Sequence, residues 1–232
     1  MQDYRNKTQD LVEKGKYEEA LKCTIWFHHH ALEHDYAMRG VRLSYALSDW
    51  RRLGEIYPPA AEALKKTRDE KEKKLREGMG NRDLFSDAVA LNRTMEEQMK
   101  SVALFEFISE EDSAKAREYW HSASDVILEQ GRYDIAQKFI TDFEADFLIK
   151  KELYQLKADH YQKPKPGWES FQKFNNTQFI NHVRRLIELA LAINDRDVTI
   201  SIRESALEVI DDERLKCLIP HNGEEPKGDA EQ

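Results

Sequence analysis

The sequence predicts an all-α protein of antiparallel helical hairpins, and three observations carry that reading. Apolar residues recur with a helical period along nearly the whole chain, and the interruptions fall at turn-forming residues. Glycine and proline number only 9 and 6 in 232 residues, too few for a β-protein with closely spaced turns, and no alternating β-branched runs occur. Hydrophobic residues make up 40% and charged residues 34%, a mixture suited to thin layers of amphipathic helices that each keep one face in water.

The elements follow in order. A first helix is expected over about 3–14, closed by Gly15. A second starts at Tyr17, and Ala20, Leu21, Thr24, Ile25, His28, Ala31 and Leu32 share its apolar stripe. A third is expected from Tyr36 to Leu47, with Ser48-Asp49 capping a short fourth that stops at Pro58-Pro59. A long charged helix runs from about Pro59 to Glu77 and ends at Gly78-Met79-Gly80. Its second half, KKTRDEKEKKL, mixes charge signs at i,i+4 spacing and reads as a solvated extension. From Asn81 to about Ser109 the pattern is again helical, and Ser109-Glu110-Glu111-Asp112 reads as the cap of a helix that reaches Gln130.

Beyond Gly131, residues 132–160 read as one bent helix or two consecutive ones. The run from Lys163 to Gly167, with Pro164 and Pro166, is the plainest turn in the chain. Helices resume at Trp168, break near Asn194-Asp195 and end around Ile219. The polar tail from Pro220 is expected to be disordered. The chain thus divides into a helical-hairpin repeat region at 1–162, a C-terminal helical part at 163–219 packed on it, and a tail at 220–232.

Two segments share a pattern. Gly15, Tyr17 and Ala20 stand at the same spacing as Gly131, Tyr133 and Ala136. The glycine can end a helix in a left-handed cap, the aromatic wedges between antiparallel helices, and the alanine lets two backbones approach. This G-x-Y-x-x-A turn resembles the tetratricopeptide repeat, whose helix pairs recur about every 34 residues. Tyr4 and Trp120 each lie eleven residues before the turn glycine, where that family places its Trp. Ala31-Leu32-Glu33-His34-Asp35 resembles the string that closes a repeat. A further hairpin is expected at Leu47-Ser48-Asp49-Trp50. The two glycines are 116 residues apart, so the hairpins between them must be irregular in length.

A net charge of −8 argues against a general nucleic-acid or anionic-membrane binder and leaves room for a basic protein partner. Cys23 and Cys217 lie far apart in helical patterns and read as reduced thiols. With no apolar segment at the N-terminus and no run long enough for a membrane span, the expected location is cytoplasmic.

One string could carry chemistry. His30-x-x-Glu33-His34 matches the H-x-x-E-H of inverted zinc peptidases, in which two histidines one helical turn apart hold Zn²⁺ beside a carboxylate base. A zinc-dependent hydrolase using His30, Glu33 and His34 is therefore the alternative function. The pattern is short, falls among four packed histidines and has no third ligand in a recognisable context, so the expectation is no metal, no cofactor and no catalytic residue. Glu110-Glu111-Asp112 and Asp211-Asp212-Glu213 are read as acidic runs at helix beginnings. Trp26, Phe105, Phe107, Phe139, Phe143 and Phe147 are read as core.

The leading expectation is a protein-binding scaffold or regulator, including an inhibitor or neutraliser of a basic protein. The resemblance implies binding along the first helix of each pair. Carried across by offset from the turns, it singles out Arg5, Asn6, Gln9 and Glu13; Arg39, Arg42 and Tyr45; and His121, Ser122, Asp125 and Glu129.

Overall fold

The computed structural model describes residues 2–160 and 167–218, with side chains over 6–159 and 167–218. The protein is all-α, with no strand among the described residues. The chain falls into two compact units, Met1–Val126 and Ile127–Gln232. The turn expected at 163–167, apart from Gly167, and the tail from Pro220 lie outside the described residues.

The first unit is built from α1 (Gln2–Glu13), α2 (Tyr17–His34), a 3-10 turn η1 (Tyr36–Met38), α3 (Arg39–Leu43), α4 (Tyr45–Ile56), α5 (Pro58–Arg76), α6 (Arg82–Thr94), α7 (Gln98–Glu111) and most of α8 (Ser113–Glu129). α1 packs on α2, α2 on α4, α4 on α5, and α5 on α6. Leu47, Trp50, Leu53, Ala60 and Leu64 form the core between α4 and α5, with Tyr17 and Tyr57 packed against it. Trp50 is fully buried and its indole N–H donates to the Ala60 carbonyl at 2.9 Å, so the one polar atom of the ring is satisfied. Gly54 faces α5 so closely that a Cβ there would lie 3.1 Å from the Ala61 backbone.

Pro58 explains the sharp join. A residue before proline is driven into extended geometry, and Tyr57 sits at φ −136°, ψ 92°. Pro58 and Pro59 then occupy the first turn of α5, where a missing N–H costs nothing.

The two shared turns have the same backbone cap. Gly15 and Gly131 stand at φ +70° and +65°. Lys16 N–H donates to Leu11 O at 2.9 Å and Gly15 N–H to Val12 O at 3.0 Å; Arg132 and Gly131 make the equivalent bonds to Ile127 and Leu128. Ala20 and Ala136 are fully buried, while Tyr17 and Tyr133 are half-buried. The same double bond closes helices at Gly78, Glu96 and Asn194.

Three expectations need correction. α4 runs straight through Ser48 and Asp49, so the hairpin expected at Leu47-Ser48-Asp49-Trp50 does not exist; the break falls at Ser44, before Tyr45. The second half of α5 is not a solvated extension. α6 returns along it, burying Thr67, Leu75 and Arg68, the last only 1% exposed. The helical pattern over 81–109 is carried by two helices, separated at 95–97 by the left-handed Glu96. Glu110 and Glu111 close α7 rather than opening α8, and Asp112 alone caps α8 by accepting the Lys115 N–H at 3.0 Å.

The second unit contains the end of α8, α9 (Tyr133–Ala136), α10 (Phe143–His160), α11 (Trp168–Ala192), α12 (Arg196–Val209) and α13 (Glu213–Lys216). α10, α11 and α12 pack on one another around Phe147, Phe179, Ile180, Val183, Ile202 and Ala206. Tyr154 stacks on Phe179 at 4.8 Å, and His182 meets Asp146 at 2.9 Å. Arg203 ties α13 in by donating to the carbonyls of Leu215 and Lys216. No helix among the described residues is long and apolar enough to cross a membrane.

Candidate functional site

A groove of about 380 Å³ opens in the first unit between α1, α2 and α4. α1 contributes Thr8, Gln9 and Val12; α2 contributes Thr24 and Phe27; α4 contributes Ala46, Asp49, Arg52, Leu53, Glu55 and Ile56. Three physical features shape it. Phe27 and Leu53 are buried and form a floor held by the core. Thr24 turns its hydroxyl back to the Ala20 carbonyl at 3.0 Å, which withdraws that donor from the groove. Ile56, 53% exposed, stands with Arg52 and Glu55 at the mouth. An apolar floor with a charged rim has the chemistry to admit an apolar side chain and to align its polar neighbours by charge.

Elsewhere in the first unit, a buried ionic cluster fastens α2, α3, α5 and α6 to one another. Arg42 on α3 makes a paired contact with the Asp87 carboxylate on α6 and donates to the His28 carbonyl at 3.2 Å. Lys71 on α5 reaches the same carboxylate at 2.7 Å. Burial by itself would raise the Asp87 carboxyl, but Arg42 and Lys71 outweigh it and hold the group below its ordinary value. The His28 ring is buried beside them with no hydrogen-bond partner on either nitrogen. Burial first, and then the charges of Arg42 and Lys71, push it down to about 3. A second cluster joins α5 to α6 and α7. Arg68 donates to Asn92 at 2.8 Å and pairs with Glu97, while Asn92 donates to Glu72 at 2.8 Å and Ser101 at 3.2 Å.

The residues singled out from the sequence scatter. Gln9 lines the groove; Asn6 and Glu13 are exposed elsewhere on α1, and the side chain of Arg5 lies outside the described residues. Arg42 is 4% exposed and cannot meet a partner: its guanidinium is spent on Asp87 and His28. Removing one member of such a pair costs about 3–5 kcal/mol, so a charge reversal there would damage the fold before it reported on binding. Arg39 is half-buried and held by Asp83, Ser86 and Tyr36. Tyr45 is 63% exposed at the start of α4. On α8, His121 is exposed, Ser122 shares a 2.8 Å hydrogen bond with Ser86, Asp125 is half-buried, and Glu129 accepts from Arg185 at 2.9 Å.

The histidine string is split by burial. His28 lies in the core, whereas His30 and His34 lie on the outer face and pack on Trp26 at 5.1 and 5.6 Å. Trp26 therefore belongs to that outer face and is only half-buried, as are Phe107 and Phe139; Phe105, Phe143 and Phe147 are core. Glu33 approaches His30 at 3.4 Å. Among the described residues no group of three or more His, Cys, Asp or Glu is placed to hold a metal ion.

Sequence reasoning missed Phe27, Asp49, Arg52, Leu53 and Ile56. The misplaced turn at Ser48 hid the four on α4. Asp49, Arg52, Leu53 and Ile56 stand at i, i+3, i+4 and i+7, the signature of one helix face once α4 is read as continuous. The chain was compared with protein-family models, curated proteins and solved structures, and none matches.

Proposed function

We propose that this chain is a protein-binding module, a scaffold or regulator that seats a segment of its partner in the groove between α1, α2 and α4. The observation that carries this reading is the buried apolar floor of Phe27 and Leu53 with half-exposed Ile56 among the lining residues. A floor of that kind suits the apolar anchors of a partner helix or peptide, and the rim of Gln9, Asp49, Arg52 and Glu55 suits its polar neighbours. The net charge of −8 favours a basic protein over nucleic acid or a membrane surface, and inhibition of such a protein is a role that fits. Two free thiols, Cys23 and Cys217, support a reducing, cytoplasmic setting. The matched caps at Gly15 and Gly131, each followed by a buried alanine, support the tetratricopeptide-like reading of the hairpins.

Ile56→Glu tests the groove. The side chain is half exposed, so stability should stay within about 0.5 kcal/mol of the parent. Affinity capture with each form, read by mass spectrometry, is expected to retain a protein on the parent that is lost from the variant. A partner held equally by both forms would refute the groove. Stoichiometric zinc that disappears, together with activity, in His30→Ala and His34→Ala would replace the reading with hydrolysis.

A further inference from the structure

α10 has two apolar faces. Phe143 and Phe147 enter the core of the second unit, and Tyr154 stacks on Phe179. On the opposite side Ile149, Leu153 and Leu156 are 50%, 40% and 65% exposed. Steps of four and three residues place them on one line, the d, a and d positions of a heptad. In that register Lys150 and Lys157 fall at e, on one flank of the line, and Glu152 and Asp159 fall at g, on the other.

This segregation of charge selects both the occupant and its direction. In a parallel pair each g position faces the e position five residues on in the other helix, so Glu152 meets Lys157 twice, once on each side. An antiparallel pair would set lysine against lysine and carboxylate against carboxylate. A second copy of the chain supplies the apolar line and the matching charge order by symmetry. We propose that the protein self-associates as a two-fold dimer in which two copies of α10 pack in parallel through Ile149, Leu153 and Leu156. The proposal is independent of the groove in the first unit.

Three apolar layers make a short seam, so dimerisation should depend on concentration across the micromolar range. Sedimentation velocity of the full chain is expected to show the average mass rising from one chain toward two. Glu152→Lys and Lys157→Glu are both exposed changes, and circular dichroism should find the helical signal intact. Each variant alone sets like charges across the seam and should require at least about tenfold more protein to dimerise, about 1.4 kcal/mol. Mixed in equal amounts, the two variants restore opposite charges on both flanks and should associate as well as the parent. A parent that stays monomeric throughout the range overturns the proposal. So does association that the single variants leave unchanged, or a mixture no better than either variant alone.

Discussion

His28 is enclosed with neither ring nitrogen hydrogen-bonded, and Arg42 and Lys71 lie close enough to oppose its protonation. The folded ring takes a proton only near pH 3, whereas in the unfolded chain it does so near its ordinary value of 6.5. The depressed value means that the unfolded state binds the extra proton between these limits. Stability is therefore full above about pH 6.5 and is lost as pH falls toward about 3. Between about pH 7 and 4.5 the loss from this ring should be about 2–3 kcal/mol. Urea denaturation of the parent and of His28→Leu at both pH values isolates it, because the other titrating groups are common to both. Equal losses would mean that the ring protonates within the fold. At this scale the sequence was partly legible. His28 was readable as core because it shares a stripe with Ala20, Thr24 and Ala31. Arg42 and Arg68 were not, because a guanidinium looks the same in sequence whether water or a buried carboxylate answers it.

Helix ends were legible where residue type carries backbone geometry. Gly15, Gly78, Gly131 and Asn194 all take positive φ, and each was readable as a stop. Glu96, at φ 60°, adopts the same conformation with nothing in its chemistry to announce it. It persists because Met95 to Glu97 must join α6 to α7, whose inward faces are committed to α5. Glu96→Gly is expected to raise stability by up to about 1 kcal/mol through relief of backbone strain. The exposed ion pair with Arg51 at 2.6 Å is lost in the exchange and should count for little. Thermal unfolding checks the sign, and a clear fall in the midpoint would show that the Arg51 pair outweighs the strain. The Ser48 error has the opposite origin. Serine and aspartate do favour caps, but Leu47, Trp50 and Leu53 have one core to fill, and a continuous α4 is the helix that brings all three to it.

For the molecule as a whole, composition was a reliable guide to class, since so few glycines and prolines leave little but helices. Composition could not disclose the groove, whose walls come from three helices brought together by packing. Charge acts at this scale too. If a basic partner is drawn by the net charge of −8, affinity should fall by about tenfold or more as salt rises from about 0.05 M to about 0.5 M. Calorimetric titration at several ionic strengths would measure it. A salt-independent affinity would assign recognition to the apolar floor alone.

The tight approach at Gly54 gives that floor a tuning point. Leu53 and Ile56 line the groove from α4, while Gly54, on the same helix, rests against the Ala61 backbone. A single methyl group added at position 54 would act as a shim, displacing the helix by tenths of an ångström without altering any residue that lines the groove. The gauge of the opening can thus be reset from behind the wall.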